Sequence, residues 1–371
     1  METKKKKVLH YVARMDRAGQ ETFIMNIFRN IDRNKVEFGF LCSIDGEGDY
    51  DKEILSLGGN IFHVRLNRLN NKFKQIDNFF LLYRYLKKID YDVFHIHTQH
   101  AMDAFLSSLA AKLAGFNNVI VHSHNTSTDF HIKAHYIFRF FLNLLNINRY
   151  TCSVDAGKWM FNKKNCLVVH NGVDINKYRP DELTRNRIRK QYKIEDKFVY
   201  GHVGRFSDQK NHRKLIEIFD NIQKRNENSI LLLIGTGELK DEIKSKVEEK
   251  HLEDKVYFLG VQENTNDFYK AMDAFLLPSL YEGLSVALVE AQATGLPCYI
   301  SDTISRESDI TSNIFRIELT KDSDQWAQEI LADRQVRNRQ DIKDDSVSEI
   351  KNAKYDISEI ANMLQQKYLD M

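Results

Sequence analysis

Two glutamates in the second half of the chain, Glu282 and Glu290, follow a short apolar run that predicts a strand. Glu282 falls on the loop after that strand, and Glu290 lies inside the helix that follows. Leu284, Ser285 and Val286 would supply free backbone amides at the start of that helix, which favours an anion such as phosphate. Ionised carboxylates accept strong hydrogen bonds, so the pair suits a ligand rich in hydroxyls. A capped surface helix with solvated glutamates is the alternative interpretation.

A second group of polar residues follows another predicted strand, and it is basic. Arg205 and Lys210 flank a short loop between the run Phe198–Val203 and a predicted helix that begins at Asn211. A planar guanidinium and a compact ammonium both suit a diphosphate, although two solvated basic residues would give the same pattern. The glycine turn at residues 235–237 is a weak signal, because such turns often only connect a strand to a helix.

Histidine is concentrated in the first half, which holds ten of the 13 histidines. His95 and His97 end one predicted strand, and His122 and His124 end another. Alternate residues of a strand share a face, so each pair would present both rings to one side, and a metal site is one interpretation. Neither a carboxylate nor a cysteine lies beside them at ligand spacing. We therefore expect no metal here, and instead a structural role or contact with a ligand.

Short apolar runs alternate with amphipathic segments along the chain, which is typical of parallel α/β architecture. The pattern occurs twice, each time with enough strands for a complete sheet, and Pro180 with the polar run after it marks the boundary. We predict two doubly wound parallel-sheet domains facing a cleft, at residues 1–180 and 181–345. A helical tail, residues 346–371, would pack on either domain. Ligands of such sheets bind beyond the carboxyl ends of the strands.

Composition excludes several classes of protein. A chain of 371 residues with 42% hydrophobic and 29% charged residues is neither collagen, a disordered chain nor a disulfide scaffold. No run approaches the roughly 18 apolar residues of a membrane span, and the basic N-terminus is no secretory signal. Four cysteines without CxxC spacing indicate free thiols. These features predict a cytoplasmic protein.

The net charge of +2 conceals a basic half and an acidic half. Residues 1–180 carry 26 Lys and Arg against 17 Asp and Glu, and the remainder carries 28 against 35. In the basic half, Asn71–Asp90 and Phe130–Tyr150 combine aromatic with basic residues. Basic amphipathic helices of this kind bind anionic bilayers, while core helices with a solvated basic face are the alternative. Peripheral membrane contact of the N-terminal domain is therefore an expectation.

Together these motifs resemble the retaining glycosyltransferases of the GT-B fold, in family 4, and most closely the bacterial capsule and exopolysaccharide enzymes. The match is strongest at Pro278–Glu290, which contains the spaced glutamate pair of that family. Arg205 and Lys210 match its basic pair, and residues 171–174 match the segment before its domain crossover. The resemblance covers nearly the whole chain and implies two Rossmann-like domains.

The resemblance also implies roles for the C-terminal residues. Arg205 and Lys210 would stabilise the leaving nucleoside diphosphate, so no metal or other cofactor would be required. Glu290 would hold the ribose, Glu282 the transferred sugar, and the three amides named above the sugar and phosphate. The donor would be a nucleotide sugar, and UDP is the expected nucleotide because it is the usual one in the capsule and exopolysaccharide subgroup.

The N-terminal motifs are more generic. Residues 15–22 resemble the glycine-rich first loop of the family, where Gly19 would allow close backbone approach to the donor. Ala18 stands where a second glycine is common. His124 matches the histidine that often faces the donor sugar in this family, and His122 is its rival.

The implied function is transfer of a sugar to a glycan or lipid-linked acceptor in surface polysaccharide biosynthesis, at the inner face of the plasma membrane. A nucleotide-sugar epimerase of the same architecture is the alternative, but the paired glutamates and paired cations favour transfer. A nucleic-acid-binding protein using the basic half is a weaker hypothesis. The sequence has neither zinc-finger spacing nor an RNP-like aromatic strand to support it.

Overall fold

The computed structural model describes residues 4–66, 74–125, 132–162, 164–336 and 339–371. The chain forms two compact units. One comprises Met1–Gly172 together with Ile357–Met371, and the other comprises Val173–Asp356. Each unit is built around a parallel sheet, as the alternation of apolar runs and amphipathic segments predicts.

The first unit contains a seven-stranded parallel sheet with the order β3-β2-β1-β4-β5-β6-β7. Its strands are β1 (Lys6–Val12), β2 (Val36–Cys42), β3 (Asn60–His63), β4 (Val93–Thr98), β5 (Asn118–Ser123), β6 (Asn148–Thr151) and β7 (Leu167–Val168). The strand order reverses between β1 and β4. Connections leave neighbouring strands in opposite directions at such a point, which opens a crevice beyond the carboxyl ends.

Helices cover both faces of this sheet, which explains why β1, β2, β4 and β5 are largely buried on both sides. The helices that follow successive strands are α1 (Gly19–Asn30), α2 (Asp51–Ser56), α3 (Lys74–Leu86), α4 (Ala101–Ala114), α5 (Ile132–Leu144) and α6 (Val154–Phe161). Phe23 and Phe28 of α1 pack on one face, and α4 lies between α3 and α5 on the other.

The second unit contains a six-stranded parallel sheet with the order β10-β9-β8-β11-β12-β13. Its strands are β8 (Phe198–Val203), β9 (Ser229–Ile234), β10 (Val256–Gly260), β11 (Ala274–Leu277), β12 (Cys298–Ser301) and β13 (Ile314–Ile317). Its helices are α7 (Ile175–Tyr178), α8 (Glu182–Gln191), α9 (His212–Gln223), α10 (Lys240–Glu249), α11 (Thr265–Ala271), α12 (Val286–Ala293), α13 (Ser323–Val336) and α14 (Arg339–Asn352). The order reverses between β8 and β11. Among the described helices of the chain, none has both the length and the apolar character needed to cross a membrane.

The polar run after Pro180, which the sequence assigned to the boundary, is helix α8. Asp181 caps it by accepting hydrogen bonds from the backbone N–H groups of Leu183 and Thr184. Arg185 of this helix donates to Asp273 just ahead of β11, at 2.5 Å. The run is polar because this short helix exposes most of its surface, so composition alone does not separate it from a linker.

The division between the units therefore differs from the predicted one. Val173, ahead of Pro180, already belongs to the second unit, where its N–H donates to the carbonyl of Tyr355 at 2.9 Å. The predicted tail is also divided. Tyr355 packs in the core of the second unit, whereas the final helix α15 (Ile357–Leu369) packs on α1 of the first.

Candidate functional site

Lys210 and Glu282 meet at the switch point of the second sheet. Lys210 follows β8 and Glu282 follows β11, the two adjacent strands between which the order reverses. The Lys210 Nζ atom donates to Glu282 Oε1 at 2.5 Å, and the two side chains are 15% and 8% exposed. The structure thus brings the predicted cation and the predicted carboxylate into one largely buried ion pair.

Further donors fix the carboxylate of Glu282. Ser279 Oγ donates to Oε1 at 3.0 Å, and Gln209 Nε2 donates to Oε2 at 3.3 Å. The backbone N–H of Leu280 donates to the carbonyl of Gln209 at 2.8 Å, which ties the loop after β11 to the loop after β8. Sequence reasoning missed Ser279 and Gln209 as supporting residues. Their only signal was that each lies within three residues of a predicted site residue.

Among the described residues, the ion-pair partner of Arg205 is Glu238 and not Glu282. The guanidinium lies 3.0 Å from Glu238 Oε2, and 73% of the Arg205 side chain is exposed. An ion pair this exposed stabilises a protein by only about 0–1 kcal/mol. Arg205 can therefore exchange Glu238 for another anion at little cost.

The glycine turn after β9 fixes the loop that carries Arg205. Gly235 has a φ of +134°, and a Cβ atom there would lie 2.1 Å from the carbonyl oxygen of Gly204. The N–H of Phe206 donates to the carbonyl of Thr236 at 3.0 Å. The two loops therefore pack backbone against backbone, which explains a motif that was weak in the sequence.

Glu290 is buried on α12 and binds two tyrosines. Tyr178 Oη donates to one carboxylate oxygen at 2.5 Å, and Tyr269 Oη donates to the other at 3.0 Å. Burial raises the pKa of the Glu290 carboxyl, and the two hydroxyl donors oppose that rise. Sequence reasoning missed both tyrosines, since no spacing rule connects either of them to Glu290.

The predicted amides of Leu284, Ser285 and Val286 lie between Glu282 and the body of α12. Ser285 is the N-cap residue, and its side chain forms no capping hydrogen bond. The first N–H groups of a helix have no partner within the helix, so this end of α12 offers donors to an anion. The amides and Glu282 thus lie on one continuous segment.

The predicted histidines of the first unit form one cluster on a single face of the sheet, and His10 of β1 joins it. His97 connects to His10 at 3.0 Å and to His124 at 2.9 Å through its two ring nitrogens. Burial lowers the pKa of His10 and of His124 to about 3, and those of His95, His97 and His122 well below 6.5. Near pH 7 the five rings are therefore neutral. His122 is fully buried, whereas His124 is half-buried at the end of β5.

Gly19 is the exposed first residue of α1, directly after the cap residue Ala18. The neighbouring residues Gln20 and Glu21 line a cavity of about 410 Å³ together with His97. Burial raises the pKa of the Glu21 carboxyl to about 7. Sequence reasoning missed Glu21, although it lies inside the predicted first loop.

Two protein-family models match the chain. One, described as glycosyl transferases group 1, matches residues 184–338, and the other, glycosyltransferase family 4, matches residues 17–177. The two matches together span both units. Neither the epimerase nor the nucleic-acid hypothesis is favoured by them.

Similar curated proteins have related descriptions. EpsF of Bacillus subtilis (strain 168), described as a glycosyltransferase, is 35% identical over 89% of this chain and 88% of its own. A UDP-Gal:alpha-D-GlcNAc-diphosphoundecaprenol alpha-1,3-galactosyltransferase of Escherichia coli is 27% identical over 77% of this chain and 76% of its own. The capsular polysaccharide biosynthesis glycosyltransferase CapH of Staphylococcus aureus is 27% identical over 95% and 98%.

A solved structure confirms the predicted fold class. Anabaena Alr3699/HepE, crystallised with UDP and glucose, superposes with a TM-score of 0.80 at 17% identity, covering 99% of this chain and all of that one. At 17% identity this similarity supports the fold alone, whereas the family assignment rests on the sequence matches. The chain belongs to family 4 of the glycosyltransferases and has the two Rossmann-like units of the GT-B fold.

Proposed function

We propose that this glycosyltransferase moves a sugar from a UDP-sugar to a glycan or lipid-linked acceptor in surface polysaccharide biosynthesis, with retention and without a metal. The observation that carries the proposal is the Lys210–Glu282 pair at the switch point of the second sheet. It lies where α/β sheets bind ligands, and the segment from Glu282 leads directly into the free N-terminus of α12.

The diphosphate of the donor would bind to Lys210 and Arg205. The Lys210 ammonium has three N–H donors, of which the described contact to Glu282 uses one. The exposed Arg205 can leave Glu238 and offer its planar fork to phosphate oxygens. Negative charge develops on the leaving diphosphate in the transition state, so cations fixed beside it lower the barrier.

The hydroxyls of the donor would bind to the carboxylates. Glu282 would accept a hydrogen bond from the transferred sugar through Oε2, which receives only Gln209 among the described contacts, whereas Lys210 and Ser279 already donate to Oε1. Glu290 would hold the ribose through the same chemistry, with Tyr178 and Tyr269 fixing its orientation. The amides of Leu284, Ser285 and Val286 would donate to the sugar and phosphate.

The proposal of a metal-independent, retaining transfer depends on the same cations. A divalent metal at a nucleotide sugar serves to neutralise the diphosphate, and Lys210 with Arg205 supplies positive charge there instead. Glycosyl transfers pass through an oxocarbenium-like transition state, which a departing anion beside fixed cations favours. Retention itself is proposed from the family-type glutamate pair, Glu282 and Glu290.

The donor nucleotide and the acceptor are proposed from the similar proteins. The Escherichia coli galactosyltransferase named above carries UDP-Gal and a diphosphoundecaprenol acceptor in its name, and the Anabaena structure contains UDP. On the N-terminal side, His124 would orient the donor sugar or the acceptor hydroxyl. Gly19 would permit close backbone approach to the donor.

Donor binding and transfer by matched lysine variants test this proposal. Isothermal titration with UDP, GDP and UDP-sugars should show preferential UDP binding by the wild type, weakened at least about tenfold in Lys210→Met. Lys244→Met, an exposed lysine of α10, is the control and should bind as the wild type does. Product analysis by NMR then reports the anomeric configuration. Wild-type affinity and turnover in Lys210→Met would contradict the site assignment.

We also propose that the first unit contacts an anionic membrane through α3 and α5. Large apolar side chains are exposed on both helices, among them Phe80, Ile137, Phe140 and Leu144. Phe140 is 63% exposed and Leu144 is 69% exposed, and Arg139 directly precedes Phe140 in the sequence. Exposed apolar residues beside basic ones match the interface of an anionic bilayer. Residues 71–73 and 130–131 of the predicted segments lie outside the described residues.

Vesicle co-sedimentation tests the membrane surface. The wild type should sediment with phosphatidylglycerol vesicles at low salt and much less with phosphatidylcholine vesicles. The double variant Phe140→Ser/Leu144→Ser should lose most of this binding, whereas Leu183→Ser should retain it, because Leu183 is exposed on the second unit. Equal binding by all three proteins would refute this surface.

A further inference from the structure

The histidine cluster of the first sheet contains ring nitrogens that have no hydrogen-bond partner among the described residues. They are both nitrogens of His122, Nδ1 of His124, and Nε2 of His10 and of His95. Buried polar atoms in native proteins almost always have a partner, which can be a water or an ion. Both nitrogens of His122 lack a partner, and an ion bound by this ring, His97 and His124 would satisfy one of them while replacing the contact between His97 Nδ1 and His124 Nε2.

Three histidines of the cluster lie close enough to share one ion. His97 and His122 are direct neighbours across β4 and β5, and His124 lies two residues further along on the same face. One ring nitrogen from each lies within 4.8 Å of the other two. Tetrahedral Zn²⁺ with nitrogen ligands at 2.0–2.1 Å requires nitrogens roughly 3.3 Å apart, so small ring rotations would suffice.

We propose that His97, His122 and His124 bind a divalent transition-metal ion of the Zn²⁺ class. Neutral imidazole is a typical ligand of Zn²⁺, Co²⁺, Ni²⁺ and Cu²⁺, whereas Mg²⁺ and Ca²⁺ prefer oxygen. Spacing in the sequence argued against a metal, because neither carboxylate nor cysteine lies beside these residues. The fold instead assembles an all-histidine set from two adjacent strands.

His10 would position the central ligand. If His97 binds the ion through Nδ1, its Nε2–H can donate to His10 Nδ1, which lies 3.0 Å away. Metal-binding histidines usually donate their other ring N–H to a nearby acceptor, which fixes the tautomer and the ring orientation. The existing contact between His97 and His10 provides that arrangement.

The site also has access and a source of compensating charge. A divalent ion held by neutral ligands is costly to bury unless negative charge or water lies nearby. His97 lines the cavity of about 410 Å³ whose wall also includes Glu21, so water and a carboxylate can approach from that side. Of the three proposed ligands, His97 is the one that lines this cavity, so the ion would enter, and its fourth ligand would bind, from the His97 side.

This ion is separate from the proposed diphosphate chemistry of the second unit. Lys210 and Arg205 would still neutralise the leaving group. His124 bound through Nε2 would retain its Nδ1–H as a donor, so metal binding is compatible with its proposed role toward a hydroxyl. The metal-binding experiment below uses no nucleotide and therefore succeeds or fails independently of the proposed function.

The test is metal binding by protein that carries no polyhistidine tag and has been stripped with a chelator. Zn²⁺ is titrated in competition with a chromophoric chelator, and Co²⁺ is followed by visible absorption. We expect about one ion per chain, with the strong visible bands of tetrahedral Co²⁺. His122→Gln and His124→Gln should each weaken binding more than about 100-fold, and His10→Phe about 10–100-fold.

His63→Gln, an exposed histidine of β3, is the matched control and should bind as the wild type does. His95→Gln tests the neighbouring triad of His10, His95 and His97. The wild-type titration decides the question even if a buried variant fails to fold. Absence of stoichiometric Zn²⁺ binding and of Co²⁺ bands in the wild type overturns the proposal. Binding that survives His122→Gln but not His95→Gln overturns the assignment of ligands.

Discussion

Mild acid should unfold the first unit, because its sheet carries histidines that the fold keeps neutral. Unfolding releases these side chains to water, where their pKa returns to about 6.5. Since the folded-state pKa lies below the unfolded value, the unfolded state binds more protons below pH 6.5. Stability is therefore complete above about pH 7 and falls as the pH decreases towards 3. The residues concerned are His10, His95, His97, His122 and His124.

The expected loss can be worked out from these shifts. At pH 5.5 an unfolded histidine is about nine-tenths protonated, while the folded ring remains neutral. Each histidine then costs about 1.4 kcal/mol between pH 7.5 and 5.5, or about 7 kcal/mol for the five. Glu21 acts in the opposite direction, because its pKa is raised to about 7 in the folded state and it gains about 2 kcal/mol over the same interval. The net loss of about 5 kcal/mol equals the whole stability of many domains.

Each unit carries one tryptophan, so the two can be followed separately. Trp159 lies in the first unit and Trp326 in the second. Urea denaturation of Trp326→Phe, monitored by fluorescence with a chelator present, reports the first unit at pH 7.5, 6.5 and 5.5. Trp159→Phe reports the second unit, where His202 and His212 are the histidines with lowered pKa. The second unit should therefore lose less stability.

A first unit with equal stability at pH 7.5 and 5.5 would refute the reasoning. It would mean that water reaches the histidines and that their pKa values are ordinary. A second variant checks the cause. His10→Phe removes one buried histidine and should reduce the loss of stability by about 1.4 kcal/mol over this interval.

Other expectations concern the second unit. Glu282→Gln should lower kcat/KM by about 10²–10³-fold with an unchanged circular dichroism spectrum, and full turnover would contradict its role. Tyr178→Phe removes a donor to buried Glu290 and should lower the free energy of unfolding by about 1–3 kcal/mol in urea melts. Gly235→Ala should destabilise the unit at least about 1 kcal/mol more than Gly260→Ala, which has positive φ but open space around it. Turnover measured by UDP release should be the same with and without Mg²⁺ or Mn²⁺.

The parts of the site that local sequence determines could be predicted. Apolar runs placed Lys210 and Glu282 after strands, and parallel sheets collect the ends of their strands at one edge. The order of those strands in the sheet could not be predicted from the sequence, because it depends on which strand each crossover connection places beside which. The structure places β8 beside β11, and this adjacency brings Lys210 and Glu282 together.

Other features depend on contacts between residues far apart in the chain. Tyr178 and Glu290 meet across 112 positions, and nothing local to either residue indicates the partner. The histidine cluster likewise needs β1, β4 and β5 side by side, so sequence spacing could not reveal His10 as a member. Helix α8 was missed because its surface is polar nearly throughout.

Helix α15 returns to the unit in which the chain begins, so the second unit is inserted within the first. Tyr368 of this helix is fully buried, and its Oη lies 2.9 Å from Nδ1 of His95. During synthesis on the ribosome, residues 173–356 emerge before the segment that completes the first sheet's cover. The second unit can thus fold first, while the apolar face of β1 and α1 that α15 will cover remains exposed to solvent. Chaperones should therefore bind mainly to the N-terminal half of the nascent chain. A fragment of residues 1–172 should be soluble only when a peptide of residues 357–371 is added.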